Sequence, residues 1–336
     1  MADQVRIGVL GAAKITKDAL IRPSKDVAGV AVVAVAARHP ERASAHARKF
    51  GIPRVHASYE DLLADDCIDA VYIPLPAALH GHWTMAALES GKHVLVEKPF
   101  AANALEAKRV ADTANRLKLV VMEAHHTSYH PLMDRLRAIL DSGALGSVNA
   151  AEASFRVPIP PGGDIRWNAA LGGGSLMDVG CYPLRLLLDL FGSEPEVCSA
   201  IAWTRGDIDR SMRATLSFDG TIRAKVDCSI WSGRIFSALL LVHCDRGRLK
   251  VTMPFHPHEG ARISLDGPNV RIRERCSGRS SYSHQLEAFH EAVTLGTPIR
   301  TGGEAAVTTM RLIDSIYLAA GMRPRQPLLS NFADAP

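Results

Sequence analysis

The first third of the chain alternates between short apolar runs and longer mixed segments. Val5–Leu10, Ala31–Ala37, Ala70–Ile73, His93–Val96 and Leu119–Met122 are nearly continuous in apolar residues. Runs without polar alternation suit strands covered on both faces, as in a parallel sheet. Between them, Glu41–Phe50, Tyr59–Ala64, His80–Ser90 and Leu105–Leu117 are compatible with helices. The alternation predicts an α/β fold, a doubly wound parallel sheet with helices on both faces. We place its end at residue 124 and assign 125–336 to a second domain.

The pattern changes beyond that boundary. Leu132, Met133, Leu136, Ile139 and Leu140 predict a helix over His130–Leu140, with Gly143 as its stop signal. Short Val/Ile/Thr-rich runs then recur at Val197–Thr204, Arg213–Phe218, Ile222–Ile230, Phe236–Cys244 and Arg262–Leu265. Asp219-Gly220 between two of them is a hairpin signal. These runs predict a mostly antiparallel sheet. Ser283–Thr294 and Ala305–Ala320 read as closing helices, and the tail from Arg323 as a surface wrap.

Composition narrows the function classes. At 47 % hydrophobic and 22 % charged residues, the chain has the make-up of a globular protein, not a disordered one. Apolar stretches such as Ala28–Ala37 fall short of the ~20 residues of a membrane-spanning helix. A net charge of +4 with no Lys/Arg cluster offers no footprint for nucleic acid. The N-terminus lacks the pattern of a secretory signal. Six cysteines at irregular spacing, none in a Cys-x-x-Cys pair, suggest reduced thiols in the cytoplasm. The pairs His80/His82, His125/His126 and His256/His258 have no companions at ligand spacing, so no metal site is expected.

Four segments carry candidate chemistry. Gly11-Ala12-Ala13-Lys14-Ile15 sits where the first strand should turn into a helix, the place where a dinucleotide pyrophosphate meets backbone N–H groups. Only the first glycine of the Gly-x-Gly-x-x-Gly fingerprint is kept. The second strand ends in Ala36-Ala37-Arg38, with Arg42 a helical turn later. A guanidinium there suits a ribose 2′-phosphate, which favours NADP(H) over NAD. Glu97-Lys98-Pro99 follows the fourth strand at the sheet edge where ligands of such folds bind. Leu171–Pro183 holds three consecutive glycines, then Asp178 and Tyr182 at a spacing of one helical face. Ser175-x-x-Asp178 is equally a helix-capping pattern, and Pro183 marks a kink or restart.

On these residues the chain resembles the glucose-fructose oxidoreductase / inositol dehydrogenase / rhizopine-catabolism (Gfo/Idh/MocA) family. The resemblance runs from Arg6 to about Arg323 and is most specific in Ala87–Pro99 and Gly172–Tyr182. It implies a Rossmann domain followed by an α/β domain with a large open sheet, which commonly packs against another subunit as a homodimer or homotetramer. Tyr182 stands where many members carry histidine, as in the NADP-linked branch. By the same resemblance Lys98 is the catalytic lysine and Asp178 the acid of the glycine-rich motif. The resemblance implies that Leu75, Pro76 and His80 lie along the nicotinamide half of the cofactor, that Glu97 and Lys98 also bind the cofactor, and that Arg166-Trp167 approach it. The implied activity is hydride transfer between NADP(H) and a secondary alcohol or ketone carbon of a sugar or cyclic polyol. A dihydrodiol-type dehydrogenase and a non-catalytic NADP-binding regulator are the alternatives. Tyr182 is assigned as proton acceptor with Lys98 as its electrostatic partner. The reverse division is open, because coupled groups share their titration.

Overall fold

The computed structural model describes residues 4–233, 236–268 and 270–328. They form two compact units, one built from the described residues of Met1–Ala124, Tyr282–Val307 and Gln326–Pro336, the other from His125–Ser281 and Thr308–Arg325.

In the first unit, β1 (Val5–Leu10), β2 (Val30–Ala36), β3 (Arg54–Val55), β4 (Ala70–Ile73), β5 (His93–Val96) and β6 (Val121–Glu123) form a six-stranded sheet in the order β3-β2-β1-β4-β5-β6. Every recorded pairing among them is parallel. The order reverses between β1 and β4, and the crevice outside the strand ends at such a switch point is where these folds take ligands. Ile7, Val9, Val35, Val71 and Leu95 are fully buried, as the apolar runs require.

The helices of this part are α1 (Pro23–Asp26), α2 (Pro40–Phe50), α3 (Tyr59–Leu63), α4 (His80–Glu89) and α5 (Ala104–Leu117). The first crossover departs from a plain helix. It is a π-helical turn, Lys17–Ile21, followed by the short α1, which Pro23 opens at a position where its missing N–H costs nothing.

The second unit carries α6 (Pro131–Asp141), β7 (Val148–Arg156), α7 (Cys181–Phe191), β8 (Glu196–Arg205), β9 (Ile208–Phe218), β10 (Ile222–Ser229), β11 (Ser237–Cys244), β12 (Gly247–Thr252), β13 (Arg262–Gly267) and β14 (Val270–Arg275). Its eight strands run in the order β14-β13-β12-β11-β7-β10-β9-β8. β7 and β10 are parallel, and the other pairings are antiparallel. Asp219 and Gly220, both left-handed, turn β9 into β10. α7 packs on β7, and α6 on α7.

The second unit is not continuous to the end of the chain, which a boundary at 125–336 would require. Beyond Ser281, most of α8 (Ser281–Leu295) and the start of α9 (Gly303–Ala319) belong to the first unit. The reason is the free edge of β6. Glu123 donates its N–H to Thr301 O at 2.9 Å, and Thr301 Oγ1 donates to Glu123 O at 2.7 Å. Ser283 also donates to Asp26, and His290 lies against Gly29.

Candidate active site

Within the first unit, the turn after β1 begins at Gly11, whose φ of +116° is a conformation open to glycine and rare for other residues. A Cβ there would stand 2.9 Å from Leu75 Cδ2, so the Leu75 side chain packs over the turn at the switch point. Ala12, Ala13, Lys14 and Ile15 form the following loop. It ends at Thr16, whose Oγ1 is buried with no hydrogen-bond partner among the described residues. An orphaned hydroxyl beside this turn, together with the glycine geometry, fits a pyrophosphate acceptor. Arg38, just past β2, and Arg42, in the first turn of α2, are both exposed, where two guanidinium groups can meet a phosphate.

The turn after β5 is fixed at several points. Glu97 Oε1 accepts from the Tyr72 hydroxyl at 2.7 Å, and Glu97 Oε2 from the Lys98 N–H at 3.3 Å. Phe100 N donates to the fully buried Glu123 at 2.9 Å. The Lys98–Pro99 peptide is cis. His80 opens α4 and is 1 % exposed, with ring nitrogens 2.7 Å from both Pro99 O and Leu75 O. Two carbonyl acceptors favour a protonated ring, and Lys98 disfavours it. Burial dominates and pushes the His80 pKa down to about 4. His80 therefore lies between the Leu75-Pro76 segment and the Lys98-Pro99 turn, and its neutral ring donates its single N–H to one of the two carbonyls.

Within the second unit, the glycine-rich segment leads into a π-helical turn, Leu176–Gly180, and then α7. Pro183 lies in the first turn of α7, where it has no N–H to contribute. The π-helical turn ends just before it, so Asp178 and Tyr182 are not related by a simple α-helical face. Ser175 does not cap the helix; its hydroxyl donates to Asp209 at 2.9 Å. Asp178 accepts from Arg166 Nε at 2.7 Å, and Arg166 also pairs with Asp164 at 3.1 Å. Burial works against the Arg166 charge, but these two carboxylates outweigh it and raise its pKa. The Trp167 indole donates to Ile159 O at 3.2 Å.

Tyr182 is 6 % exposed, among aromatic and imidazole rings. His125, Phe155 and His126 stand edge-on at centroid distances of 4.9, 5.4 and 5.9 Å. His256 lies 6.3 Å away. Sequence reasoning did not assign these neighbours. The close pairs His125/His126 and His256/His258 were visible, but their assembly around a tyrosine was not. Tyr72 and Glu123 were hidden in or beside apolar runs, and their only signal was a polar atom at a buried strand position.

The parallel sheet, its glycine turn and the buried supports of the Lys98 turn define a dinucleotide-dependent oxidoreductase. The chain matches the oxidoreductase family with NAD-binding Rossmann fold over residues 5–125 and the GFO/IDH/MocA C-terminal domain over 133–250. It belongs to the Gfo/Idh/MocA family. It is 36 % identical over 317 residues to D-xylose 1-dehydrogenase (NADP(+)) 2 of Haloferax volcanii, covering 93 % of this chain and 96 % of that protein. It is 43 % identical over 331 residues to the dTDP-3,4-didehydro-2,6-dideoxy-alpha-D-glucose 3-reductase of Streptomyces violaceoruber, covering 94 % and 95 %. The structure of KijD10, a 3-ketoreductase from Actinomadura kijaniata in complex with NADP and TDP-benzene, superposes with a TM-score of 0.88 at 28 % identity, over 96 % of this chain and 98 % of that one.

Proposed function

We propose that the chain is an NADP(H)-dependent oxidoreductase that moves hydride between the nicotinamide and a secondary alcohol or ketone carbon of a sugar. The observation that carries this reading is the turn after β5, held by Glu97, Glu123 and His80 so that Lys98 is presented at the carboxyl edge of the parallel sheet. Similarity to a D-xylose 1-dehydrogenase (NADP(+)) and to a dTDP-deoxysugar 3-reductase supports the substrate class, and similarity to a 3-ketoreductase in complex with NADP supports the cofactor. Gly11–Ile15 and Thr16 would receive the pyrophosphate, and Arg38 with Arg42 the 2′-phosphate. Leu75, Pro76, Glu97 and Trp167 complete the cofactor side.

The bound nicotinamide supplies the hydride chemistry. The protein handles the proton. Tyr182 takes it from the alcohol, and Lys98 supplies the ammonium that favours the phenolate. A lone tyrosine, with a pKa near ~10, is a poor base at neutral pH. Asp178, paired with Arg166, orients Lys98 or the substrate. Among the described residues no helix is long and apolar enough to cross a membrane, and all six cysteines are free. We assign the protein to the cytoplasm. The eight-stranded sheet leaves Ile201 and Trp203 exposed on β8, and we assign it to a homo-oligomer interface.

The test is an absorbance assay for NADP reduction by free sugars and for NADPH oxidation by nucleotide-linked keto sugars. Turnover with one class supports the reading. Tight NADP binding with no turnover of either class would favour the regulator.

A further inference from the structure

The glycine-rich segment rests on a buried polar anchor that the chemistry above does not use. Asp209, on β9, is fully buried. Its Oδ2 accepts from Ser175 Oγ at 2.9 Å and from the Leu176 N–H at 2.7 Å. Its Oδ1 accepts from the Tyr317 hydroxyl at 2.9 Å and from Arg325 Nη2 at 2.7 Å. Arg325 is itself 6 % exposed. Its Nε donates to Gly173 O at 2.8 Å and its Nη1 to Asp207 O at 3.0 Å, while its guanidinium lies 4.8 Å from the Tyr317 ring centre.

This anchor explains the glycines. A Cβ on Gly174, whose φ is +129°, would stand 2.1 Å from Asp209 Oδ1 and 2.8 Å from Arg325 Nη2. A side chain cannot share that space with the ion pair. One residue away from the anchor, the segment touches the machinery. Gly174 N donates to Arg166 O at 3.0 Å, and Arg166 holds Asp178. Leu176, clasped by Asp209, opens the π-helical turn that carries Asp178 and leads to Tyr182.

We propose that Asp209 and Arg325 are positioning residues for the reaction: the pair fixes the glycine-rich segment and so sets the placement of Arg166, Asp178 and Tyr182. Arg325 lies beyond α9, so a residue distant in sequence from Arg166, Asp178 and Tyr182 becomes part of active-site geometry. The proposal rests on the roles given to Asp178 and Tyr182. A buried pair can also serve stability alone, because removing one partner strands the other charge. The two roles differ in what they move.

The experiment compares wild type with Arg325→Met and Arg325→Lys well below their melting temperatures. It reads kcat, KM for NADP, and amide hydrogen exchange of peptides from residues 166–182. Positioning predicts a kcat lower by roughly 10–100-fold with KM for NADP unchanged, since small misplacements of reacting groups cost that much. It also predicts exchange faster by about tenfold in that segment, with the rest of the unit unaltered. Arg325→Lys keeps the charge but not the three-donor fork, and recovers only part of the loss. A lower melting temperature with unchanged kcat and unchanged segment exchange would overturn the proposal. Should Arg325→Met fail to fold, Tyr317→Phe removes one donor and keeps the ion pair. It should loosen the same segment and lower kcat by a few-fold, and no change in either would overturn the proposal. If wild type turns over no sugar, the proposed function fails, while the exchange measurement still decides the anchor.

Discussion

The two units hold their functional turns by different means. In the first, the turn carrying Lys98 is tied down by carboxylates and an imidazole acting on backbone groups: Glu97 on the Lys98 N–H, Glu123 on the Phe100 N–H and His80 on the Pro99 carbonyl. In the second, the segment carrying Asp178 is tied down by two ion pairs: Arg166–Asp178 holds a site side chain, and Arg325–Asp209 grips the backbone at Gly173 O and the Leu176 N–H. Ties to backbone groups fix the shape of both segments, whereas the Arg166–Asp178 pair also fixes the direction of a side chain. Burial follows the same division. β4 and β5 are buried almost throughout, whereas β8 and β14 alternate or are largely exposed.

The sharpest way to break this comparison is to separate chemistry from cofactor binding. Tyr182→Phe should lower kcat by ~10²–10⁴-fold, the usual worth of general acid–base catalysis, with NADP affinity intact by fluorescence titration. Lys98→Ala lies in the first unit, yet it should behave like the second-unit variant and be at least as damaging. The double variant should lose less than the product of the two, because both serve one proton transfer. Near-wild-type kcat in Tyr182→Phe across the pH range would remove the tyrosine from this role.

Arg38→Ala makes the opposite cut. Losing charge-assisted bonds of roughly 1.5–3 kcal/mol should weaken NADP by about one to two decades and leave NAD nearly unchanged. At saturating NADP its kcat should match wild type. Equal weakening of both cofactors would contradict the 2′-phosphate assignment.

The smallest expected effect tests the buried carboxylates of the first unit. Burial pushes the Glu106 carboxyl from 4.5 up to about 7, against the pull of the Ala102 N–H and Arg109. The folded state therefore prefers the protonated acid. Its contribution to stability is fully present below pH 4.5 and is lost as pH rises through about 7. Glu106→Gln keeps an acceptor for the Ala102 N–H and cannot ionise. Its melting temperature should match wild type at low pH and exceed it at high pH, by an amount on the order of 1–3 kcal/mol in stability. A pH-independent difference would place the carboxyl in a wetter site.

Legibility in the sequence follows the same line between the units. β1, β4 and β5 lie where the apolar runs place them, because a strand buried on both faces must be apolar throughout. β3, two residues long, left no run to find. β14 was missed because Arg271, Arg273 and Arg275 alternate with its less exposed positions, the pattern of a charged edge strand. The Gly172–Tyr182 segment was visible as a motif, but not what it leans on. Asp209 and Arg325 are more than a hundred residues apart, and only folding brings them under Gly174. The same holds for the rings around Tyr182, drawn from before β7, from β7 itself and from beyond β12.

The proposed reaction passes hydride directly between the nicotinamide and a sugar carbon. Protein incubated with NADPH deuterated at the transferring position and a keto sugar tests this without any variant. Mass spectrometry and NMR of the product should find deuterium on the carbon that bears the new hydroxyl, at the isotopic purity of the cofactor. Reduced sugar without deuterium, or deuterium retained on the cofactor while sugar is consumed, would contradict it.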